Sequence, residues 1–105
     1  MKVNCEEIFA PVVTVTPYRH FQEAIAAVNQ SPYGLQAGLF TQNIKEIFNG
    51  FDLIDVGGLI VNDIPTYRVD SMPYGGIKES GCGREGIRYA MAEMTEIKLL
   101  LLNLG

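Results

Sequence analysis

The feature that most constrains this chain is the stretch 72–86, which reads MPYGGIKESGCGREG and holds five glycines and one proline. Glycine adopts positive φ values, or lets another group approach the backbone closely, without strain. A flexible linker would combine glycine with serine and carry few bulky side chains. Here the glycines alternate with large side chains such as Met72, Tyr74 and Arg84. The stretch therefore predicts a folded irregular loop, a kind of segment in which functional residues concentrate.

The composition is that of a globular domain, or of part of one, and it excludes several classes of function. Of 105 residues, 48% are hydrophobic and 19% are charged, with a net charge of −4 and no run of Lys or Arg. This charge balance argues against nucleic acid as a partner. No stretch reaches the roughly 18 apolar residues that a membrane span needs, and the N-terminus has no apolar signal core. The two cysteines form no disulfide framework, so we expect a cytoplasmic protein. From the charge balance and the short apolar runs we expect neither a nucleic-acid nor a membrane partner.

Hydrophobic spacing predicts alternating strands and helices along the chain. Ser31 and Pro32 are expected to end the first helix, and Asn43 to cap the second with Glu46 in a capping box. The predicted elements are a buried strand over 12–18, a helix whose apolar face holds Phe21, Ala24, Ile25 and Val28, a strand over 35–41, a helix with the apolar face Ile44, Ile47, Phe48 and Phe51, a strand over 59–62, a helix over 84–94 and a terminal strand over 97–104. This order indicates an α/β fold, a mostly parallel sheet with helices on its faces.

Residues 81–86 match the pattern G-x-G-x-x-G of dinucleotide-binding loops. That loop must follow a strand directly, open a helix, and be followed about 20 residues later by an acidic residue at the end of the next strand. Only the helix is predicted here, because 77–80 is a poor strand and the region about 20 residues on is a leucine-rich tail. We therefore favour a glycine turn that enters a helix.

Metal-binding and nucleophilic side chains are sparse. Cys5, His20 and Cys82 are the soft metal ligands of the sequence, and their spacing fits no zinc site. Cys82 precedes a predicted helix, but a lone thiol without an orienting histidine is more often inert than nucleophilic. His20 is expected to be solvated or to cap the first helix. No catalytic residue and no metal site are predicted.

The stretch 6–11, EEIFAP, has two readings that the residues alone do not separate. It is either a solvated charged lead-in to the first strand, or it places a carboxylate near a strand end, where α/β folds bind ligands. In the second reading the carboxylate accepts both hydroxyls of a ribose, and Phe9 packs beside a flat cofactor.

Taken together, several motifs resemble the C-terminal part of the NAD(P)-dependent aldehyde dehydrogenase superfamily. They follow the family order along nearly the whole chain. The matching segments are 6–11 (EEIFAP), 29–35 (NQSPYGL), 40–41 (FT), 58–62 (GLIVN), 73–81 (PYGGIKESG), 83–86 (GREG) and 94–98 (MTEIK). The segment 65–70 (PTYRVD) further resembles branches that act on small hydroxy-aldehydes or on phospho- and phosphono-aldehydes.

The resemblance implies a role for four side chains. Glu7 would bind the nicotinamide ribose and Phe9 would pack near the nicotinamide, while Tyr74 would line the aldehyde pocket and Arg68 would meet an anionic substrate group. The family usually has glycine where this chain has Ala10. If that position needs positive φ or close backbone approach, Ala10 would displace Glu7 and Phe9.

The resemblance also implies that this chain is a fragment. The family's cysteine nucleophile, general-base glutamate, oxyanion-hole asparagine and cofactor domain lie upstream of the matching stretch. Residues 1–96 are then part of a catalytic domain, and residues 97–105 a terminal oligomerisation strand. The intact enzyme would oxidise an aldehyde to a carboxylic acid with NAD or NADP, whereas this chain alone is expected to bind no cofactor. As partners we expect a second copy, through 97–104, and an N-terminal dehydrogenase chain. An inert folded remnant and an interaction module remain alternative readings.

We predict that the isolated chain forms no NADH or NADPH from short aldehydes, because covalent catalysis and positioning supply most of the rate. The measurement is absorbance at the nicotinamide band with several short aldehydes. Cys5→Ser and Cys82→Ser are the matched variants. Turnover that survives both substitutions would refute the fragment reading, and turnover lost in Cys82→Ser would make that thiol a nucleophile.

Overall fold

The computed structural model of the chain describes residues 6–105, in which three helices alternate with four short strands. The three predicted helices and the strands predicted over 35–41 and 59–62 are present, whereas the predicted order, which begins and ends with a strand, is not present in these residues. In chain order the elements are α1 (Phe21–Asn29), β1 (Tyr33–Gly34), β2 (Gln36–Leu39), α2 (Ile44–Leu53), β3 (Gly58–Val61), β4 (Ile77–Lys78) and α3 (Ile87–Glu93).

The strands form two separate pairs. β2 and β3 are parallel, in a register that places Gln36 opposite Gly58, and α2 makes the crossover between them. β1 and β4 are antiparallel, with Tyr33 opposite Lys78. The α/β class is therefore confirmed. The parallel sheet is confined to one pair of strands, and β4 forms where the sequence predicted no strand.

The first two helices begin and end close to the predicted residues. α1 ends at Asn29, just before Ser31 and Pro32, because proline cannot continue the helix. His20 occupies the N-cap position of α1, but its side chain makes no capping hydrogen bond. The backbone N–H of Arg19 instead donates to Glu23 Oε2 at 3.1 Å. Of the two roles expected for His20, the capping one is thus wrong.

The cap of α2 is confirmed, but its capping box is not. Asn43 Oδ1 accepts the N–H of Lys45 at 3.0 Å, as an N-cap side chain should. In a capping box, Glu46 would accept the backbone N–H of Asn43. That N–H donates to Thr41 Oγ1 at 3.1 Å, and the Thr41 hydroxyl donates to Glu46 Oε2 at 2.5 Å. The Thr41 hydroxyl thus bridges the Asn43 N–H and the Glu46 carboxylate, which would bond directly in a capping box.

A single asparagine joins the C-terminal ends of α1 and α2. Asn29 Nδ2 donates to the carbonyl of Leu53 at 2.7 Å, and Asn29 Oδ1 accepts the N–H of Asp55 at 2.8 Å. Lys78 Nζ donates to the carbonyls of Asn29 and Ser31 at 3.1 and 3.2 Å. A cation is favourable at a helix C-terminus, where carbonyls lack intrahelical partners. We call these residues, Asn29, Asp55 and Lys78, the helix-end junction.

The predictions for 12–18 and 84–94 need correction. Residues 12–18 form no strand and lie exposed, with Val13 85% and Val15 89% accessible, because no strand in residues 6–105 pairs with them. Helix α3 begins at Ile87 rather than Arg84, since Gly86 has φ 108°, outside the helical region. Residues 97–105 form neither helix nor strand within this chain.

The chain buries little of its apolar surface on its own. Within residues 6–105, Ile25 is the only buried hydrophobic side chain. The radius of gyration is 18.4 Å, against about 13 Å for a compact domain of this length. The accessible surface is 9030 Å², against roughly 5,800 Å² for a folded monomer of this mass. The predicted apolar face of α2 is largely open, with Phe48 61% and Phe51 70% exposed.

In the part of the chain that the structure describes, no helix combines the length and apolar character needed to cross a membrane.

Candidate functional site

The glycine-rich loop, residues 72–86, packs directly against the strand region. A Cβ atom added to Gly57 would lie 1.7 Å from the carbonyl oxygen of Gly75, so the two backbones touch where no side chain fits. Further along the loop, Ser80 Oγ accepts the N–H of Gly34 at 2.9 Å, and the N–H of Glu79 donates to Pro32 O at 3.0 Å. The predicted folded loop is therefore confirmed, and its position is fixed by backbone contacts.

Arg84 holds the loop together from inside. Its Nη1 donates to the carbonyls of Gly76 and Gly83 at 2.9 and 2.7 Å, and both bonds are partly buried. Gly81, Gly83 and Gly86 all have positive φ, a conformation that glycine adopts without steric cost. The last of these is the N-cap of α3. This confirms the prediction of a glycine turn that enters a helix.

The loop brings Tyr74 and Glu85 side by side. The two residues form an antiparallel bridge in which the Glu85 N–H donates to the Tyr74 carbonyl at 2.6 Å. Both also line a cavity of about 280 Å³ together with Leu35, Ser80 and Arg84. The loop thus places an aromatic ring and a carboxylate next to one small cavity.

The structure places Arg68 on this pair. Its guanidinium carbon lies 4.8 Å from the centroid of the Tyr74 ring, the geometry of a cation–π contact. Its Nη2 donates to Glu85 Oε2 at 2.6 Å, with the Arg68 and Glu85 side chains 51% and 59% exposed. Arg68 and Tyr74, both predicted as substrate-pocket residues, are thus brought together. Glu85 was missed, because no local pattern links it to a residue 17 positions earlier.

Glu7 lies in a different cavity from Tyr74. This open groove of about 660 Å³ is lined in part by Glu7, Tyr33, Glu79 and Ser80. Phe9 does not line the groove, and its ring is 94% exposed. The structure therefore brings Glu7 to a groove that is lined in part by the 29–35 motif, but Phe9 does not line this groove.

The groove and the loop cavity are neighbours, since Leu35 and Ser80 line both.

Ala10 is compatible with the backbone here. Among the described non-glycine residues only Asn62 and Lys78 have positive φ, so Ala10 occupies a conformation open to any residue. The displacement of Glu7 and Phe9 relative to the family stays a prediction.

The remaining candidates form no site. Cys82 is exposed and forms no disulfide, and Cys5 lies outside the described residues. In residues 6–105, no group of three or more His, Cys, Asp or Glu side chains is arranged to hold a metal ion.

Comparison with known proteins identifies close relatives of this arrangement. A family model described as the aldehyde dehydrogenase family matches residues 1–100. The chain is 53% identical over 104 residues to a 3-sulfolactaldehyde dehydrogenase of Priestia aryabhattai, covering 99% of this chain and 22% of the relative.

Two solved structures have the same fold over most of the chain. One is aldehyde dehydrogenase 21 from Physcomitrella patens in complex with the reaction product succinate, with a TM-score of 0.90 and 50% identity, covering 96% of this chain and 21% of that one. The other is the glyceraldehyde-3-phosphate dehydrogenase GapN from Methanocaldococcus jannaschii complexed with NADP, with a TM-score of 0.70 and 43% identity, covering 73% and 17%. The chain thus spans about a fifth of the length of such relatives.

We expect Gly57→Ala to displace the loop, because its Cβ would overlap the Gly75 carbonyl oxygen. Overpacking of this kind costs about 1–3 kcal/mol or more in the free energy of unfolding. The matched control is the neighbouring Gly58→Ala, whose Cβ would meet only the Gln36 side chain at 3.4 Å. Denaturant unfolding of the three chains, with amide shifts of Tyr74 and Glu85 by NMR, makes the comparison. Equal effects of the two substitutions would contradict the close approach.

Proposed function

The chain belongs to the aldehyde dehydrogenase family, and from this premise we propose that it forms the aldehyde-binding side of the active site of an NAD(P)-dependent dehydrogenase. The whole enzyme would oxidise an aldehyde to a carboxylic acid. The single observation that carries the proposal is the contact of Arg68 with Tyr74, a residue that lines the loop cavity.

We further propose that the substrate is a small aldehyde with an anionic group. A guanidinium presents five N–H donors in a planar fork that matches a carboxylate, sulfonate or phosphate. One of the five donors binds Glu85 in the described structure. The guanidinium carbon lies over the ring of Tyr74. The 3-sulfolactaldehyde dehydrogenase, the aldehyde dehydrogenase 21 bound to its product succinate and the glyceraldehyde-3-phosphate dehydrogenase all have a compound with such an anionic group as substrate or product. Arg68 would bind the anionic end, and Tyr74 would form a wall beside the carbon chain.

The groove that holds Glu7 fits one end of the cofactor. Carboxylates accept hydrogen bonds only, and Glu7 and Glu79 both line it, so this set suits the hydroxyls of a ribose. We propose that Glu7 binds the nicotinamide ribose and that Phe9, exposed here, packs near the nicotinamide. When bound, NAD or NADP accepts the hydride. The cysteine nucleophile would come from a part of the enzyme other than these residues.

The test uses a chimera of the Priestia 3-sulfolactaldehyde dehydrogenase in which the 104 aligned residues are replaced by those of this chain. We expect it to oxidise 3-sulfolactaldehyde. Arg68→Gln should raise the KM for that substrate by about 10- to 100-fold, since a hydrogen bond to a charged group is worth about 1.5–3 kcal/mol. The KM for neutral propionaldehyde should change less than about twofold.

The matched control is Arg88→Gln, an exposed arginine with no hydrogen bond or ion pair in residues 6–105. It should leave both KM values unchanged. An inactive chimera would count against the proposed function. An equal rise for the anionic and the neutral aldehyde in Arg68→Gln would exclude Arg68 as the anion site.

A second proposal concerns the tail, residues 97–104, which we infer to be the surface that joins two copies of this chain. Its six large apolar side chains lie 71–100% exposed. Burial of each is worth roughly 1.5–3 kcal/mol, so leaving all of them in water forgoes several kcal/mol. Extended apolar segments gain most by pairing with another chain. These residues are Ile97, Leu99, Leu100, Leu101, Leu102 and Leu104.

We expect the chain to sediment as a dimer at micromolar concentration and the double variant Leu100→Lys, Leu102→Lys to be monomeric. The reason is that two buried lysines lose hydration without gaining partners. Asn103→Lys, which adds a charge at a polar position of the same segment, is the control. A monomeric wild type, or a double variant that remains fully dimeric, would show that the tail is not the interface.

A further inference from the structure

We propose that Glu85 is a positioning residue for Arg68, and that it thereby sets the preference of the active site for anionic aldehydes. Nothing in the family comparison assigns this role. The inference rests on the proposed function of Arg68 as the anion-binding group. It follows from how the guanidinium is held.

Arg68 has little else to hold it in place. It lies in a segment between β3 and β4 that contains no helix or strand, and its side chain is half exposed. In residues 6–105 its guanidinium makes one hydrogen bond, to Glu85, and one stacking contact, with Tyr74. Arginine has many rotamers, so a solvated guanidinium must be ordered before it can bind a ligand in one orientation. Glu85 supplies the only directional part of that ordering.

Glu85 is itself fixed relative to Tyr74. The backbone bridge between them closes through the 2.6 Å hydrogen bond from the Glu85 N–H to the Tyr74 carbonyl. The next residue, Gly86, has φ 108°, and an added Cβ there would lie 2.6 Å from Met72 O. The two backbones therefore have a fixed separation. The Tyr74 ring and the Glu85 carboxylate extend from these two fixed positions, and both contact Arg68.

The contact leaves most of the guanidinium available. Glu85 Oε2 takes one Nη2 hydrogen, so in the described structure the second Nη2 hydrogen and the Nε and Nη1 donors have no protein partner. The second Nη2 hydrogen forms a parallel pair with the N–H of Nε or of Nη1, and such an edge can bind an anion bidentately. The Glu85 charge also repels an anion, but at 59% exposure solvent screens that repulsion. Hydrogen-bond geometry, in contrast, is short-range and directional. The positioning of Arg68 by Glu85 therefore outweighs the repulsion between the Glu85 charge and a bound anion.

The experiment compares Glu85→Ala and Glu85→Gln in the active chimera described above. Glutamine keeps an oxygen that accepts the Arg68 hydrogen, whereas alanine removes it. We expect Glu85→Ala to raise the KM for 3-sulfolactaldehyde by about fivefold with kcat and the KM for propionaldehyde unchanged, and Glu85→Gln to stay within about twofold of wild type. In an Arg68→Gln background, Glu85→Ala should have no further effect, because the two residues act as one unit.

Asp52→Ala is the control. It removes a carboxylate that is exposed and that makes no side-chain hydrogen bond or ion pair in the described part of the chain. A lower KM for the anionic aldehyde in both Glu85 variants would overturn the proposal and make Glu85 a competitor. An undiminished effect in the Arg68→Gln background would overturn it too. If Arg68→Gln itself fails to separate the two aldehydes, the proposed function falls. If Arg68→Gln separates them but Glu85→Ala equals wild type, only this inference falls.

Discussion

The architecture depends on the helix-end junction, in which the side chain of the last residue of α1 binds two backbone groups at the C-terminal end of α2. Asn29 bonds the Leu53 carbonyl and the Asp55 N–H, so the exits of α1 and α2 cannot separate without breaking both bonds. Lys78 in β4 adds the third connection, because its Nζ donates to the carbonyl of Asn29 at the end of α1. The backbone of Lys78 has φ 56°, a conformation that non-glycine residues rarely adopt. Because β4 is part of the glycine-rich loop, the junction also determines where that loop lies.

A second constraint is the lack of a core inside the chain. Only Ile25 is a buried hydrophobic side chain in residues 6–105, and the accessible surface exceeds that of a compact monomer by about half. This explains why the apolar stretch 12–18 is not a strand here: strands form by pairing, and nothing described in this chain pairs with it. The same holds for the tail, whose apolar side chains stay 71–100% exposed in the described structure.

The site illustrates how an irregular loop can be rigid enough to carry chemistry. Arg84 bonds two loop carbonyls, and the contact of Gly57 with Gly75 fixes the loop against the strand region. On this frame the backbones of Tyr74 and Glu85 are bridged, and the Tyr74 ring and the Glu85 carboxylate both contact Arg68. The groove with Glu7 adjoins the loop cavity through Leu35 and Ser80. The two cavities that we propose to bind the substrate and the ribose are therefore neighbours.

The sequence by itself determined the elements whose signals are local. Periodic apolar residues defined α1 and α2, Asn43 marked a cap, and the spaced glycines marked a folded loop, because each depends on neighbours within a few positions. The motifs also predicted Tyr74 and Arg68 as pocket residues, and the structure places the two side chains in contact. Only the tertiary structure decided what depends on distant partners: that 12–18 lacks a strand partner among the described residues, and that Glu85 meets Arg68. Contacts between residues far apart in sequence leave no periodic trace, because their geometry exists only after the chain has folded.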